Sequence, residues 1–204
     1  MATQKIKNKI DKSVSLKGQL LIAMPIMTDE RFMRSVIYMC EHTQDGAMGL
    51  IINHKANHIS FPDLIDRLNI SSTPLEQTLA PGIRNQKVLI GGPVESGRGF
   101  VLHTEDYQCR NATLNICSGI SLTATIDILK DIAFGRGPKQ SLMALGYAGW
   151  AAGQLENEIQ ANGWLNCPAD SEIIFTPDLE AKYDKALAKI GVNPAFLVGD
   201  AGHC

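Results

Sequence analysis

The 204 residues carry a formal net charge of −2, with hydrophobic residues at 45% and charged residues at 20%, a balance that excludes a disordered or membrane-embedded chain. Without a basic field there is no wholesale neutralisation of phosphates, so nucleic acid is not the default partner. A chain of this length is expected to form one domain around a single sizeable core.

The first seventeen residues hold Lys5, Lys7, Lys9, Lys12 and Lys17 with no apolar period, which predicts a flexible lysine-rich tail over 1–17 ahead of one domain over 18–204. No apolar run of signal-peptide type follows those charges. The apolar stretch Leu20 to Met27 is far shorter than the roughly 20 residues a membrane-crossing helix needs. Five widely spaced cysteines, with no Cys-x-x-Cys pair, fit a reducing compartment and core packing rather than disulfides or zinc. The expected location is the cytosol, away from membranes.

In chain order, Leu20–Ala23 reads as a buried strand ended by Pro25, and Thr28 or Asp29 can cap a short helical turn ahead of Phe32. Ser35–His42 and Met48–Asn53 read as strands around Gln44-Asp45-Gly46, where Asp-Gly supplies the positive φ of a tight hairpin. Ser60-Phe61-Pro62-Asp63 has the oxygen cap, early proline and first-turn acid of a helix running to about Leu68. Thr73-Pro74 opens another turn, and Ala80-Pro81-Gly82 interrupts regular structure.

Val88–Ile90 and Phe100–His103 are strand-like, separated by Gly91 to Gly99, whose glycines predict a loop. Leu114–Cys117 is a further strand. From Thr123, the apolar residues Ile126, Ile128, Leu129, Ile132 and Ala133 keep helical spacing up to Gly135. Leu142–Tyr147 reads as a buried strand, and Ala148, Ala151, Ala152, Leu155 and Ile159 then keep helical spacing to Asn162-Gly163, which places the strand–helix junction at Gly149. Glu172–Phe175 reads as a last strand, and Thr176-Pro177-Asp178 caps a helix with the core stripe Leu179, Tyr183, Leu187 and Ile190. Early hairpins and later helices predict an α+β fold with a mixed sheet.

Patterns that carry chemistry mostly fail on context. Gly92–Gly99 keeps two glycines of a phosphate-binding loop but ends in Arg98-Gly99, without the lysine and hydroxyl that the chemistry requires. Gly135-Arg136-Gly137 follows a helix rather than a strand, so it is no dinucleotide fingerprint. His54 and His58 sit after a strand without a metalloprotease glutamate and read as exposed loop histidines. Ser96 has Val94 where a nucleophile elbow needs glycine. Glu156 and Glu158, two apart on a helix, point about 200° from each other and cannot flank one bond. Trp150, Gln154 and Glu158 do fall on one helical stripe, so indole, amide and carboxylate can line a groove. No catalytic residue, metal site or cofactor is expected.

Several blocks carry a family likeness: Gly18-Gln19-Leu20-Leu21-Ile22-Ala23-Met24-Pro25, Phe32-Met33-Arg34-Ser35-Val36, Gly49-Leu50-Ile51-Ile52-Asn53, Gly91-Gly92-Pro93-Val94, Leu102-His103, and Gly146-Tyr147-Ala148-Gly149-Trp150 through Gln154-Leu155-Glu156. In this order they resemble the AlgH/YqgE family of bacterial proteins over Leu16 to His203, with Tyr183 where the family usually has tryptophan and a familiar Gly199–His203 tail. The resemblance implies a single compact α+β domain with a curled, partly barrel-like mixed sheet flanked by helices. It brings no established catalytic residues, and some members are described as regulators of exopolysaccharide-gene transcription.

The expected function is a non-catalytic cytosolic binding or adaptor module. Its surface is expected to combine Gly92, Pro93, His103, Trp150, Gln154 and Glu158 and to meet a protein partner. Two alternatives stay open: a transcriptional regulator contacting DNA directly, aided by the lysine tail, and a small-ligand binder or enzyme with its site at the Gly92 loop.

Overall fold

The computed structural model describes residues 15–70 and 79–192. Most of the predicted tail, the Thr73-Pro74 turn and the Gly199–His203 segment lie outside these residues. Among the described residues nine strands form one sheet: β1 (Gln19–Ala23), β2 (Val36–Thr43), β3 (Gly46–Ile51), β4 (Val88–Ile90), β5 (Val94–Thr104), β6 (Thr113–Cys117), β7 (Ile120–Thr123), β8 (Ser141–Ala151) and β9 (Trp164–Pro168). Their order is β6-β7-β5-β8-β3-β2-β1-β9, with β4 added to β8 in parallel while every other pairing is antiparallel. The sheet curls into a half-barrel, so that a Cβ on Gly18, just before β1, would lie 2.0 Å from the Cys117 sulfur at the end of β6. This is the α+β fold with a mixed sheet that the order of hairpins and helices predicts, curled as the family resemblance implies.

Alternation along the strands divides the apolar residues between the two faces. Leu20, Ile22, Tyr38, Leu50, Phe100 and Leu102 face a concave core closed by the helices α4 (Ser171–Phe175) and α5 (Leu179–Lys189). On the outer face, Val88, Val101 and Met143 pack under α1 (Phe61–Arg67) and α2 (Ile126–Ala133). Leu21, Ile37, Met39, Ile51, Ala148 and Trp150 pack with Leu155 of α3 (Gln154–Gln160). Each fully buried aliphatic side chain contributes about 1.5–3 kcal/mol, so three such layers hold the curl from both sides. Among the described residues no helix is long and apolar enough to cross a membrane.

Local signals are realised where they are self-contained. Ser60 and Asp63 form a reciprocal capping box at α1, and Asp29 caps a 3-10 turn over Glu30–Phe32. Thr43 pairs with Gly46, so the hairpin turn is Gln44–Asp45, and the positive φ (144°) falls on Gly46 alone. Elsewhere non-local pairing overrides the sequence pattern. β8 continues through Trp150 to Ala151 because β3 pairs with it from Gly46↔Ala151 to Gly49↔Ala148. The strand–helix junction therefore lies at Gly153 (φ 73°) rather than Gly149. Glu172–Phe175 belongs to helix α4 rather than a strand, started by the Asp170 side chain accepting the Ile173 N–H. Strands β7 and β9 have no counterpart in the sequence reading. Of the cysteines, Cys40 and Cys167 are buried as expected, whereas Cys117 is exposed.

The glycine-rich segment after β4 is more than a loop. Leu145 pairs with Ile90 on one side and Gly99 on the other, so between Ile90 and Val94 the chain passes from one edge of β8 to the other. It does so over the β8 backbone: a Cβ on Gly92 would lie 2.1 Å from the Tyr147 carbonyl carbon and 2.3 Å from the Ala148 nitrogen. Only glycine permits this approach. Gly146, at φ 69°, makes room from below, where a Cβ would meet the Gly92 oxygen at 2.5 Å.

Candidate functional site

The crossing delivers Pro93 and Val94, both exposed, to the surface beside the end of β8. There β8, the Asp29–Phe32 turn, α3 and the start of β9 enclose a cleft of about 360 Å³, lined by Met27, Phe32, Pro93, Trp150, Glu158 and Trp164 among others. Trp150 and Trp164 meet edge to face at 5.9 Å, and Phe32 meets Trp164 the same way at 5.7 Å. Such contacts add about 0.5–1.5 kcal/mol each beyond burial and fix the ring orientations.

At the centre is the Glu158 carboxylate. Its Oε2 accepts both indole N–H groups, from Trp150 and Trp164, each at 2.8 Å, and its Oε1 accepts the Gln154 Nε2–H at 2.9 Å. The Gln154 amide cannot turn around, because its Oε1 accepts the Ala151 N–H at 3.0 Å. A carboxylate offers about four acceptor directions, so three neutral donors leave one open on the half-exposed Glu158. No cation lies within ion-pair distance of it among the described residues, the nearby Arg31 being paired with Asp29 at 2.6 Å.

Four of the six predicted site residues, Pro93, Trp150, Gln154 and Glu158, thus line one cleft, though not by the predicted helical stripe. Trp150 reaches Glu158 from a strand across the Gly153 turn. Gly92 is buried in the crossing beneath Pro93, where it shapes the cleft without lining it. Trp150 is only 7% exposed and is a core residue as much as a surface one.

His103 belongs elsewhere. It pairs with Ser141 at the opposite end of β8, nine residues from Trp150 and about 30 Å away at strand spacing. It is fully buried, with Nδ1 donating to the Thr104 carbonyl at 2.8 Å and Nε2 accepting from Thr123 at 2.9 Å. Burial lowers its pKa and keeps the ring neutral. Sequence reasoning also missed Trp164, Phe32 and Arg31, which come from elements separate from β8 and α3, and no local signal ties them to Glu158.

A second histidine looks more like a catalytic group. His42 Nε2 lies 3.0 Å from Glu156 Oε1, but its Nδ1 accepts the Leu16 N–H at 3.0 Å. Both ring nitrogens are engaged, so the pair holds Leu16 and α3 to β2 and has no free nitrogen to serve as a base. Ser15 and Lys17 join the same anchorage, donating to the His42 carbonyl and the Glu41 carboxylate. Burial pushes the Cys40 thiol up to about 12, which leaves it without thiolate at neutral pH. The fully buried Lys182 is pushed down to about 7 by desolvation but opens into none of the clefts described above. Among the described residues no group of three His, Cys, Asp or Glu side chains is placed to hold a metal ion.

The sequence model of the AlgH-like family matches residues 20–195. A UPF0301 protein of Rhodopseudomonas palustris is 57% identical over 95% of this chain and 89% of its own length. One from Azorhizobium caulinodans is 55% identical over 100% of this chain and 99% of its own. The solution structure of the AlgH protein from Pseudomonas aeruginosa superposes with a TM-score of 0.73 at 39% identity, covering 96% of this chain and 100% of that one. A Corynebacterium diphtheriae protein shares the fold, with a TM-score of 0.68 at 19% identity over 91% of each chain.

Proposed function

The chain belongs to the AlgH-like family, and from that premise we propose that it is a non-catalytic binding module whose docking point is the aromatic cleft at the junction of β8 and α3. The observation that carries this reading is the Glu158 carboxylate, held rigid by two indoles and one amide with an acceptor direction left open. Concave sites lined by aromatic side chains with a few fixed polar groups are the usual form of binding sites. Support for a non-catalytic role comes from the histidines: His42 is saturated and His103 is buried in a hydroxyl network.

Photo-crosslinking in cells tests the reading. A photoreactive residue at exposed Pro93 or Gln154 is expected to give adducts that the same residue at exposed Asp66 of α1, on another part of the surface, does not. Adducts that Glu158→Gln leaves unchanged, or that form equally at Asp66, overturn the docking point. Capture of DNA instead of protein at Pro93 moves the assignment to direct DNA contact, the route by which a transcriptional regulator would act.

A further inference from the structure

A second, larger cleft of about 550 Å³ adjoins the first and shares Val94, Gly149 and Trp150 with it. It lies at the mouth of the half-barrel, where residues 95–98 bulge away from β8, and it is lined by the partly buried Met48 and Tyr147 and by the edge of the buried Phe100. At the saddle between the clefts is Gly149, where a Cβ would press against Tyr147 Cε2 at 3.2 Å. Its missing side chain keeps the two clefts open to each other as one groove.

Charge in this groove is unevenly compensated. Arg98 is paired with Glu95 at 3.0 Å and Glu41 with Lys17 at 2.9 Å in the larger cleft, and Arg31 with Asp29 in the smaller. Two carboxylates remain without a cation among the described residues, Glu158 in one cleft and Asp45, at the tip of the β2–β3 hairpin, in the other. The groove is thus apolar along its floor and anionic at two separated points, which disfavours phosphate backbones and matches a basic, apolar occupant.

We propose that the groove takes an extended protein segment bearing two basic side chains, one seated at Glu158 and the other at Asp45, with apolar side chains between them over Gly149. This rests on the binding-module reading and adds the chemistry of the partner. An extended segment presents side chains alternately to one surface, which suits anionic points set apart by an apolar floor.

The chain's two tryptophans both donate to Glu158, so intrinsic fluorescence reports the site directly. The full chain is titrated with the acetylated, amidated peptide Ser-Lys-Ser-Leu-Ser-Leu-Ser-Lys-Ser, whose lysines and leucines share one face of an extended chain, and with the versions in which both lysines are replaced by serine or by glutamate. A saturable tryptophan shift is expected with the lysine peptide, at least tenfold weaker with the serine peptide and absent with the glutamate peptide. Asp45→Asn, at an exposed turn that leaves the fold undisturbed, is expected to weaken lysine-peptide binding three- to tenfold, and Glu158→Gln at least tenfold. Wild-type affinity in Asp45→Asn, or equal binding of the three peptides, overturns the basic occupant while the binding-module reading stands. No tryptophan response to any peptide, together with no position-specific crosslink at Pro93, overturns both.

Discussion

Replacing Lys182 with methionine is expected to stabilise the protein, and by an amount that depends on pH. Lys182 is fully buried on α5, its ε-amine donating to the Ile174 carbonyl at the end of α4. Desolvation first, and the charge of Lys87 second, lower its pKa from 10.5 to about 7. Above about 10.5 the side chain is neutral in both folded and unfolded chains and imposes no penalty. As pH falls from there towards 7 the unfolded chain binds a proton that the folded chain refuses, so stability declines by about 1.4 kcal/mol per pH unit. At pH 7.5 the penalty is about 4 kcal/mol and at pH 9.5 about 1 kcal/mol. Methionine matches the length of the lysine stem and loses one hydrogen bond worth about 1 kcal/mol. The net gain is therefore about 3 kcal/mol at pH 7.5 and close to zero at pH 9.5. For a chain of this size that corresponds to roughly 6–12 °C in Tm at the lower pH. Thermal melts of both proteins at the two pH values measure it. A Tm difference that is the same at pH 7.5 and 9.5, or a variant less stable at pH 7.5, refutes the claim that the lysine is held neutral.

Gly92→Ala places a methyl against the Tyr147–Ala148 backbone and is expected to cost more than about 4 kcal/mol, whereas Gly97→Ala, with nothing within 4 Å of its Cβ, changes urea midpoints little. Glu158→Leu strands two indole N–H groups and one amide; it is expected to lose about 2–4 kcal/mol in urea titration, with Glu158→Gln losing less. His42→Phe removes the acceptor of the Leu16 N–H and the partner of Glu156, so hydrogen exchange at Leu16 is expected to accelerate at least tenfold while amides in β8 keep their protection.

What could be read from the sequence follows the range of the forces involved. The α1 capping box, the β2–β3 hairpin, α2 and α5 are each specified within a dozen residues, and all are present. Ala148, Ala151, Ala152 and Leu155 satisfy a helical period as well as they satisfy a strand followed by a turn. What decides is β3, which pairs with Ala148–Ala151 from about a hundred residues away in sequence. Ile173, Ile174 and Phe175 favour a strand by composition, and the Asp170 cap outweighs them over a segment too short for a period to show. β7 is only four residues long, and β9 contains Asn166 and Pro168, poor strand formers tolerated at a sheet edge. In the cleft, the glutamate, glutamine and first tryptophan are close enough in sequence to be grouped. Trp164, Phe32 and Arg31 meet them only once β9 has paired with β1.

The place of β8 in the sheet bears on how the chain is made. It joins two ribbons that are complete before it, β1–β2–β3 and β5–β7–β6, which share no edge without it. Vectorial synthesis therefore delivers two three-stranded ribbons with unpaired borders at β3 and β5, and such borders invite pairing with other chains. The strand that joins them must then enter beneath the glycine crossing, and the helices that close the concave side, α4 and α5, emerge later still. Cooperative stability arrives only with the final third of the polypeptide. A ribosome stalled near residue 140 would hold an intermediate that depends on chaperones, not an early-folded half of the protein.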